Sequence, residues 1–378
     1  MIEKREFGFA SFDGWMLRHR SFKTKNELTM FLQDFAPHDA YFSCAYYEEP
    51  EAEMERKGWL GADLVFDIDA DHIPTQCSKI HDEWTCGNCA FSGKGITPEK
   101  CPKCGNERFD TRTWPCEVCL DSAKTETVKL LDFLMRDFGF SDKEIRVFFS
   151  GHRGYHIHVE NEAARSLNSM ARKEIVDYVT GLGLDITYFG LSDRKILQGP
   201  STKDQGWRGR IARSAYDFVR NANEDDYKNA GLQTNVELLI RNKKALLKSL
   251  DGVGTWSTVK GVAFGTWKRL VEHSIGSISA KVDTAVTTDV HRLIRLADTL
   301  HGKTGLKKVE FALSAVSTFD PFKSAIAFKA GTAKVIVSDA PKFRLDNEIF
   351  GPYKCKKIEL PTAAALLLVC KGRAKVVE

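Results

Sequence analysis

Asp67, Asp69 and Asp71 alternate with apolar residues in the stretch GADLVFDIDADH, at residues 61–72. The surrounding β-branched and aromatic residues predict a strand, in which Leu64 and Phe66 face one way and Asp67 and Asp69 the other, about 6–7 Å apart at Cα. Two uncompensated carboxylates at this distance raise each other's pKa, and a divalent cation between them removes the conflict. Oxygen ligands favour Mg²⁺ or Mn²⁺, and two-metal phosphoryl or nucleotidyl transfer uses such acids. A hydrated sheet edge has the same spacing, so the pair alone leaves both interpretations open.

The stretch FFSGHRGYHIHV, at residues 148–159, predicts two strands joined by a glycine-flanked turn. Ser150, Arg153 and His156 surround this turn, whose glycines let the backbone approach a ligand closely. A hydroxyl, a guanidinium and an imidazole together suit a triphosphate, to which arginine offers forked donors. Two alternatives stay open: His156 and His158 share a strand face and would suit a transition metal, and the stretch could be a plain hairpin.

A third polar cluster, KVDTAVTTDVHRLIRLADTLHGKTG, occupies residues 281–305. Thr288 or Asp289 is predicted to be the N-cap of a helix over VHRLIR, which makes Asp289 structural. Asp283 has no such role and is free to be a third metal ligand. The basic residues that follow in this cluster include Arg295 and His301. A solvated basic loop is the alternative interpretation of these two.

Ten cysteines are present, and six of them form three CxxC pairs. In a reducing compartment such pairs are more often metal ligands than disulfides. The candidate ligands within residues 77–119 are Cys77, His81, Cys86, Cys89, Cys101, Cys104, Cys116 and Cys119. Tetrahedral zinc takes four ligands, so this segment is predicted to hold two zinc ions.

Two pairings of these ligands are open. Sequential pairing gives the first four residues to one ion and the last four to the other. Nested pairing makes a ribbon of Cys86, Cys89, Cys101 and Cys104, with Cys77, His81, Cys116 and Cys119 as a second site at its base. We favour nested pairing, because CPKCGNERF has the glycine turn of a ribbon knuckle and because Cys116 and Cys119 directly precede a predicted helix over 121–139.

The whole chain has the composition of a soluble globular protein: 378 residues, 43% hydrophobic and 28% charged, with a formal charge of +4. This mild basicity permits a nucleic-acid partner without requiring one. The N-terminus has no apolar signal core, and the run AAALLLVC at 363–370 is far too short for a bilayer. We therefore expect no membrane association and a cytoplasmic location, or a nuclear one in a eukaryote.

The three polar stretches must be brought together by strands that are joined by long connections. Strands predicted at 62–70, 145–150 and 155–160, with the helix over 121–139 between them, favour an α/β fold with a mixed sheet. The predicted arrangement is a main domain over 1–202 and 276–378, a zinc-binding segment over 77–119 inserted in it, and a small helical subdomain over 203–275.

The motifs, in this order, resemble the catalytic small subunit of archaeal and eukaryotic DNA primases. The matching stretches are REFGF…LRHRSF, FDIDAD with a Cys/His segment after it, SGHRGYH, and VD…HRLIRL…LHGKTG. They extend over about residues 4–310, and residues 82–115 depart from the family as an extra cysteine-rich segment. The resemblance implies a prim-type mixed-sheet α/β catalytic domain with a zinc motif and a helical subdomain.

The resemblance also implies roles for individual residues. It implies that the catalytic metal ligands are Asp67, Asp69 and Asp283. It implies that the phosphates of the incoming nucleotide contact Ser150, Arg153, His156, Arg295 and His301. Arg18, and less directly Glu6, match positions near the initiating nucleotide. Asp71 is not carried over.

The expected function is template-directed synthesis of short RNA primers for DNA replication, with DNA primers as an open addition. Mg²⁺ or Mn²⁺ and two zinc ions are the expected cofactors. The expected partners are a single-stranded DNA template, nucleoside triphosphates and the large subunit of a primase heterodimer. Two alternatives are a primase-like polymerase of end-joining or gap-filling repair and a non-catalytic zinc-ribbon protein that binds nucleic acid.

Overall fold

The computed structural model describes residues 2–191, 199–252, 256 and 259–377. The strands are β1 (Phe7–Ala10), β2 (Met16–Arg20), β3 (Asp39–Ser43), β4 (Ala45–Tyr47), β5 (Trp59–Ala62), β6 (Leu64–Asp69), β7 (Glu83–Cys86), β8 (Ser92–Lys94), β9 (Phe109–Arg112), β10 (Ile145–Phe149), β11 (Gly154–Val159), β12 (Leu293–Arg295), β13 (Val309–Phe311), β14 (Thr332–Ala340), β15 (Phe343–Leu345), β16 (Glu348–Phe350), β17 (Tyr353–Pro361) and β18 (Ala374–Val376). The helices are α1 (Lys25–Phe35), α2 (Ser78–His81), α3 (Glu117–Arg136), α4 (Glu162–Arg165), α5 (Ser169–Thr180), α6 (Gly206–Asn221), α7 (Glu224–Asn229), α8 (Val236–Arg241), α9 (Lys243–Leu250), α10 (Phe264–Ile278), α11 (Thr284–Thr288), α12 (Pro321–Ser324) and α13 (Thr362–Cys370).

The chain forms two compact units. The first comprises Met1–Val128, Phe140–Val176 and Lys281–Glu378, and the second comprises Lys129–Gly139 and Asp177–Ala280. The second unit contains α6 to α10, with buried Trp207, Trp267 and Leu270 in its interior. The predicted helical subdomain over 203–275 lies inside this unit, and its described residues contain no strand.

Two four-stranded sheets form the framework of the first unit. Their strand orders are β12-β3-β1-β2 and β13-β10-β11-β6. The first sheet packs Phe7 and Phe9 of β1 against Phe22 and against Leu28 of α1. The second sheet carries the predicted acids on β6 and the predicted phosphate-binding turn between β10 and β11.

The predicted mixed sheet is wrong for the described residues, because every strand pair among them is antiparallel. The strand–helix–strand order of β6, α3 and β10 suggested two adjacent parallel strands. Instead β11, the returning strand of the hairpin, lies between β6 and β10 and pairs with both. The hairpin therefore brings its own turn next to the acids of β6.

Two other elements differ from the prediction. Helix α3 begins at Glu117, four residues before the predicted start, so Cys119 lies in its first turn and not before it. The segment VHRLIR is not a helix; its residues Leu293–Arg295 form β12, which pairs with β3 at the edge of the first sheet. The apolar residues that suggested a helix lie instead in the edge strand of the first sheet.

The cysteine-rich segment folds as a small three-stranded sheet with the order β8-β7-β9. Its strands are short, and Glu83 of β7 pairs with Arg112 of β9 at the base of the sheet. None of the helices in the described part of the chain has the length and apolar character that a membrane span requires.

Candidate active site

Asp67 and Asp69 lie at the C-terminal end of β6, both half-buried, on the strand face that the sequence predicted. In the register with β11, Asp67 is opposite His156 and Asp69 is opposite Gly154. A Cβ atom on Gly154 would lie 2.1 Å from the carbonyl oxygen of Ile68, so only glycine lets the two strands approach here. A cavity of about 180 Å³ opens beside these residues.

Most of the predicted site residues line this one cavity: Asp67, Asp69, Ser150, His156, Arg295 and His301. Tyr41, His152 and Arg292 complete its polar lining. Residues from three distant stretches of sequence therefore meet at one place in the first unit. The lining combines carboxylates with imidazole and guanidinium groups, which suits a ligand that contains both a metal ion and an anionic group.

Asp283 is held next to Asp67 by the backbone. Its N–H donates to the carbonyl oxygen of Asp67 at 2.9 Å. Its carboxylate accepts from the N–H groups of Ala285 at 2.8 Å and Val286 at 3.3 Å, so Asp283 is the N-cap of α11. The predicted N-cap at Thr288 or Asp289 is therefore wrong. Asp289 follows α11 and is exposed. Both cap hydrogen bonds are accepted by the same carboxylate oxygen of Asp283, Oδ1.

The three carboxylates influence one another. Burial and the nearby Asp69 and Asp283 carboxylates raise the pKa of Asp67 to about 7, against the opposing effect of Lys308 and Arg292. A cation at this place would offset the repulsion and keep all three groups ionised. The donor set consists of carboxylate oxygens, which fits Mg²⁺ or Mn²⁺.

Neutral imidazole lies beside these acids. The Nε2 atom of His156 is 3.4 Å from Oδ1 of Asp67, and burial together with the charges of Lys308 and Arg295 holds the pKa of His156 well below its usual range. Burial and the charge of Arg295 also lower the pKa of His301. The His301 ring stacks on His152 with 5.1 Å between ring centroids. These imidazoles are therefore available as hydrogen-bond donors that do not repel neighbouring cations.

Arg295 is fixed by its neighbours. Its guanidinium pairs with Asp39 and donates to the carbonyl oxygen of Leu300 at 3.1 Å. Asp39 also accepts from the N–H of Gly302 at 2.9 Å, which ties the loop that carries His301 to the same carboxylate. Arg295 and His301 are thus positioned by one shared acid.

Ser150 shapes the turn of the hairpin. Its hydroxyl oxygen accepts from the N–H groups of His152 at 3.3 Å and Gly154 at 3.2 Å. Gly151 has a φ of 89°, a left-handed conformation that favours glycine. The motif therefore forms the tight turn that the sequence predicted, with the hydroxyl at its centre.

Arg153 is not among the residues that line this cavity, and its predicted phosphate contact stays a prediction. The side chain is fully buried, with Nη1 2.6 Å from Oδ1 of Asp71 and Nη2 2.9 Å from Oδ2 of Asp82. Two carboxylates therefore lie against its guanidinium, whereas its Nε and Nη1 atoms have no hydrogen-bond partner among the described residues. His152, the preceding residue of the turn, lines the cavity instead.

Arg18 is also outside the lining of this cavity. Its Nε atom is 3.0 Å from Oε1 of Glu6, which is fully buried and also lies 3.3 Å from the Nζ atom of Lys57. Glu6 therefore has a structural role as the shared partner of two cations. The guanidinium of Arg18 is partly exposed and its predicted place near an initiating nucleotide stays a prediction.

The eight candidate zinc ligands fall into two groups, and in each group the ligand atoms lie within 4.8 Å of one another. The inner cluster is Cys77, His81, Cys116 and Cys119, and the outer cluster is Cys86, Cys89, Cys101 and Cys104. Sulfur–sulfur distances are 3.4–3.5 Å from Cys77 to Cys116 and Cys119. They are 3.6 Å from Cys86 to Cys104 and 3.7 Å from Cys89 to Cys101. Tetrahedral zinc with four thiolates needs about 3.8 Å between sulfurs, so both clusters fit the ion and the grouping is the nested one.

A family model described as DNA primase small subunit matches residues 112–313. The chain is 35% identical to the DNA primase small subunit PriS of Methanothrix thermoacetophila, over 99% of this chain and 93% of the relative. It is 32% identical to the protein of the same name from Nitrosopumilus maritimus and 32% to that from Archaeoglobus fulgidus, each over 99% of this chain and 91% of the relative. The chain belongs to the DNA primase small subunit family.

The protein is thus a primase, a nucleotidyltransferase that synthesises RNA primers for DNA replication. This confirms the family and the activity that the sequence motifs predicted. It also favours a primase over a non-catalytic zinc-ribbon protein and over a repair polymerase, since the relatives carry the name DNA primase small subunit.

Two residues to which the sequence assigned no role, Asp71 and His152, lie close to Asp69. One ligand atom each from Asp69, Asp71 and His152 lies within 4.8 Å of the others. Asp71 continues the every-second-residue spacing of Asp67 and Asp69, although the chain has left β6 for a short 3₁₀ turn there. No pattern in the sequence assigned a role to His152, because the role of a histidine in a turn depends on what lies beside that turn in the folded protein.

Proposed function

We propose that this primase joins nucleotides by two-metal nucleotidyl transfer, with Asp67, Asp69 and Asp283 as ligands of the divalent ions. The observation that carries the proposal is the convergence of three carboxylates, two from β6 and one tied to β6 by the hydrogen bond between Asp283 and Asp67. Bound there, Mg²⁺ or Mn²⁺ would lower the pKa of the attacking 3′-hydroxyl and offset charge on the triphosphate and the leaving pyrophosphate. No covalent enzyme intermediate is needed.

The other predicted residues of the cavity suit the triphosphate of the incoming nucleotide. Ser150, His156, Arg295 and His301 line the same cavity as Asp67 and Asp69. Their N–H and O–H groups are positioned before the substrate arrives, because Asp39 fixes Arg295 and the hairpin turn fixes Ser150. Such pre-organised donors stabilise charge that develops on phosphate oxygens. His152 is added to this group on the basis of its position, and Arg153 is not included, because it does not line the cavity.

The two cysteine clusters are proposed to hold one zinc ion each. Three thiolates and His81 at the inner cluster, and four thiolates at the outer cluster, are closed ligand sets of the structural type. Zinc at these sites would fix the cysteine-rich segment, whose short strands bury only a small aromatic cluster around Trp84.

The template and the partner follow from the activity. We propose a single-stranded DNA template, held through backbone phosphates by scattered lysines and arginines, and nucleoside triphosphates as substrates. The relatives are named small subunits, which supports assembly with a large subunit as a heterodimer. We propose that the complex works in the cytoplasm, where archaeal-type chromosomes are replicated.

A primer-synthesis assay with labelled nucleotides on single-stranded DNA tests the metal ligands. Asp67→Asn and Asp69→Asn should abolish synthesis in Mg²⁺ and in Mn²⁺ while zinc content and thermal unfolding stay unchanged. Asp289→Asn is the matched control, since Asp289 is an exposed aspartate that follows α11. Near-normal synthesis by Asp67→Asn or Asp69→Asn would overturn the two-metal assignment.

A further inference from the structure

A buried chain of polar contacts connects the inner cysteine cluster to the acids of β6, and Arg153 stands at its centre. The guanidinium is fully buried and lies between three anionic groups. Nη1 is 2.6 Å from Oδ1 of Asp71, and Nη2 is 2.9 Å from Oδ2 of Asp82. Nη2 also donates to Sγ of Cys119 at 3.2 Å.

On the metal side, Arg153 reaches two ligands of the inner cluster. It contacts Cys119 directly. It reaches His81 through Asp82, whose Oδ1 lies 2.7 Å from Nδ1 of His81. Nε2 of the same ring then faces the cluster, 3.3 Å from Sγ of Cys116. A carboxylate on the far nitrogen of a metal-binding histidine fixes the ring and its tautomer.

On the catalytic side, Arg153 holds the turn that follows β6. The backbone N–H of Asp71 donates to Oδ1 of Asp69 at 2.9 Å, so this turn is tied to the carboxylate of Asp69. The carbonyl oxygen of Arg153 accepts from the N–H of Ala70 at 3.2 Å. Arg153 therefore contacts this turn through both its side chain and its backbone.

The charges explain why the central residue is an arginine. A divalent ion held by three thiolates and a neutral imidazole carries a net negative charge. The carboxylates of Asp71 and Asp82 add to it, in a place that is closed to water on the side of Arg153. Arginine stays charged when buried and offers donors in several directions at once, whereas lysine is a single point charge.

We propose that Arg153 is a positioning residue through which the inner zinc site sets the geometry of Asp69 and Asp71, and hence the affinity of the catalytic site for its divalent ion. The inference rests on the proposed ion ligands at Asp67, Asp69 and Asp283. It gives the inner cluster a role in catalysis beyond the folding of the cysteine-rich segment. The outer cluster makes no contact with Arg153 among the contacts of the described residues.

Two variants of the full-length protein test the coupling. Arg153→Met removes the charge, and Arg153→Lys keeps the charge without the fork. Arg210→Met is the matched control, because Arg210 is a buried arginine between two carboxylates, Asp132 and Asp137, in the second unit. The measurements are zinc release to a colorimetric chelator, Mn²⁺ affinity from the electron paramagnetic resonance of free Mn²⁺, and the nucleotide KM in primer synthesis.

We expect both Arg153 variants to release one of the two zinc ions at least about 10-fold faster and to bind Mn²⁺ about 10-fold more weakly, as is usual when an outer-shell partner of a metal site is lost. The nucleotide KM at saturating Mn²⁺ should stay within about twofold of the wild-type value, since fully occupied ions leave the triphosphate donors unchanged. Arg210→Met should change neither metal property. A residue that is merely structural would not alter Mn²⁺ affinity in protein that remains folded.

The Cys77→Ser variant supplies a second arm, which decides the question if Arg153→Met does not fold. Loss of the inner zinc ion in Cys77→Ser should weaken Mn²⁺ binding by about the same factor as Arg153→Lys, and combining the two substitutions should add less than twofold, because both act through the same contacts. Unchanged zinc release and Mn²⁺ affinity with a raised nucleotide KM would overturn the proposal and make Arg153 a phosphate contact. If Mn²⁺ binding by wild type is insensitive to Asp67→Asn, the proposed ion ligands are wrong, and zinc release still decides whether Arg153 supports the inner cluster.

Discussion

At the scale of single residues, Asp283 combines two functions that substitution can separate. Its carboxylate caps α11 and also lies close enough to raise the pKa of Asp67. Asparagine caps a helix about as well as aspartate, whereas alanine costs about 1 kcal/mol. Asp283→Asn therefore removes the charge and keeps the cap.

We expect Asp283→Asn to lower the rate of primer synthesis by about 100-fold or more, since one ligand contributes several kcal/mol to charge stabilisation by a metal. Its free energy of unfolding should stay within a few tenths of a kcal/mol of wild type. Asp283→Ala should be equally inactive and about 1 kcal/mol less stable. Steady-state kinetics and urea unfolding measure both quantities, and an active Asp283→Asn would show that Asp283 is only a cap.

Glu6 gives a stability prediction with a defined pH dependence. Burial opposes its ionisation, but the charges of Arg18 and Lys57 outweigh it and hold the pKa of Glu6 below its usual value. A depressed pKa in the folded state means that the stabilisation is complete above the pKa of the unfolded chain, about 4.3, and is lost as pH falls through the folded value.

Glu6→Gln should lower the free energy of unfolding by about 3–5 kcal/mol at pH 7, because it leaves the fully buried Lys57 without its carboxylate. The difference from wild type should shrink towards pH 3. Urea unfolding of both proteins at the two pH values measures this, and Glu48→Gln, a change at a largely exposed glutamate, is a control. An equal difference at both pH values would mean that packing, and not charge, explains the effect.

At the scale of elements, the strands that carry the chemistry were predictable and their pairing was not. Alternating apolar and polar residues located β6, β10 and β11 to within two residues. The position of β11 between β6 and β10 depends on long-range pairing, which no local pattern records. The same limit applies to β12, since Val290, Leu293 and Ile294 fit a helix face equally well until the edge of β3 is known.

The charged partners of Arg153 could not be predicted from the sequence, for a similar reason. Asp71 and Asp82 are distant in sequence, and neither belongs to a motif that points at an arginine. Burial alone distinguishes an arginine that binds a ligand from one that holds the scaffold. The sequence therefore identified the turn, and of the residues it singled out there, Ser150 and His156 line the cavity whereas Arg153 does not.

The outer cluster gives a prediction about an element that can be removed. Glu83 and Arg112 are paired at the base of the small sheet, so a short glycine turn can join them in place of residues 84–111. Residues after Arg112 must stay, because Trp114 is buried and its N–H donates to Oδ1 of Asp82 at 3.1 Å.

The shortened protein should bind one zinc ion per chain instead of two and should still synthesise primers, because the inner cluster keeps all four ligands. Metal analysis and the primer-synthesis assay measure the two outcomes. Cys77→Ser in the full chain is the comparison, which should lose the inner ion and lower synthesis. A shortened protein without zinc would contradict the nested grouping.

At the scale of the whole molecule, the catalytic groups come from three stretches of sequence that meet in the first unit. Residues 61–72, 148–159 and 281–305 are separated by the cysteine-rich segment and by the helices of the second unit. The sequence could identify each stretch by its own chemistry, and family resemblance supplied their association. Which side chains share the cavity is a property of the folded unit.

Metal removal tests this organisation as a whole, because the two kinds of site should differ in how they release their ions. The proposed catalytic ions have carboxylate oxygen ligands in a half-buried site and should exchange quickly, whereas thiolate-bound zinc should stay. Brief treatment with EDTA followed by desalting should abolish primer synthesis and leave about two zinc ions per chain. Adding Mg²⁺ or Mn²⁺ should restore synthesis within minutes, and Zn²⁺ should not. A thiol-directed mercurial, which displaces zinc, should instead cause a loss that Mg²⁺ does not repair. If synthesis persisted after EDTA treatment without added Mg²⁺ or Mn²⁺, the carboxylate cluster would not be the catalytic metal site.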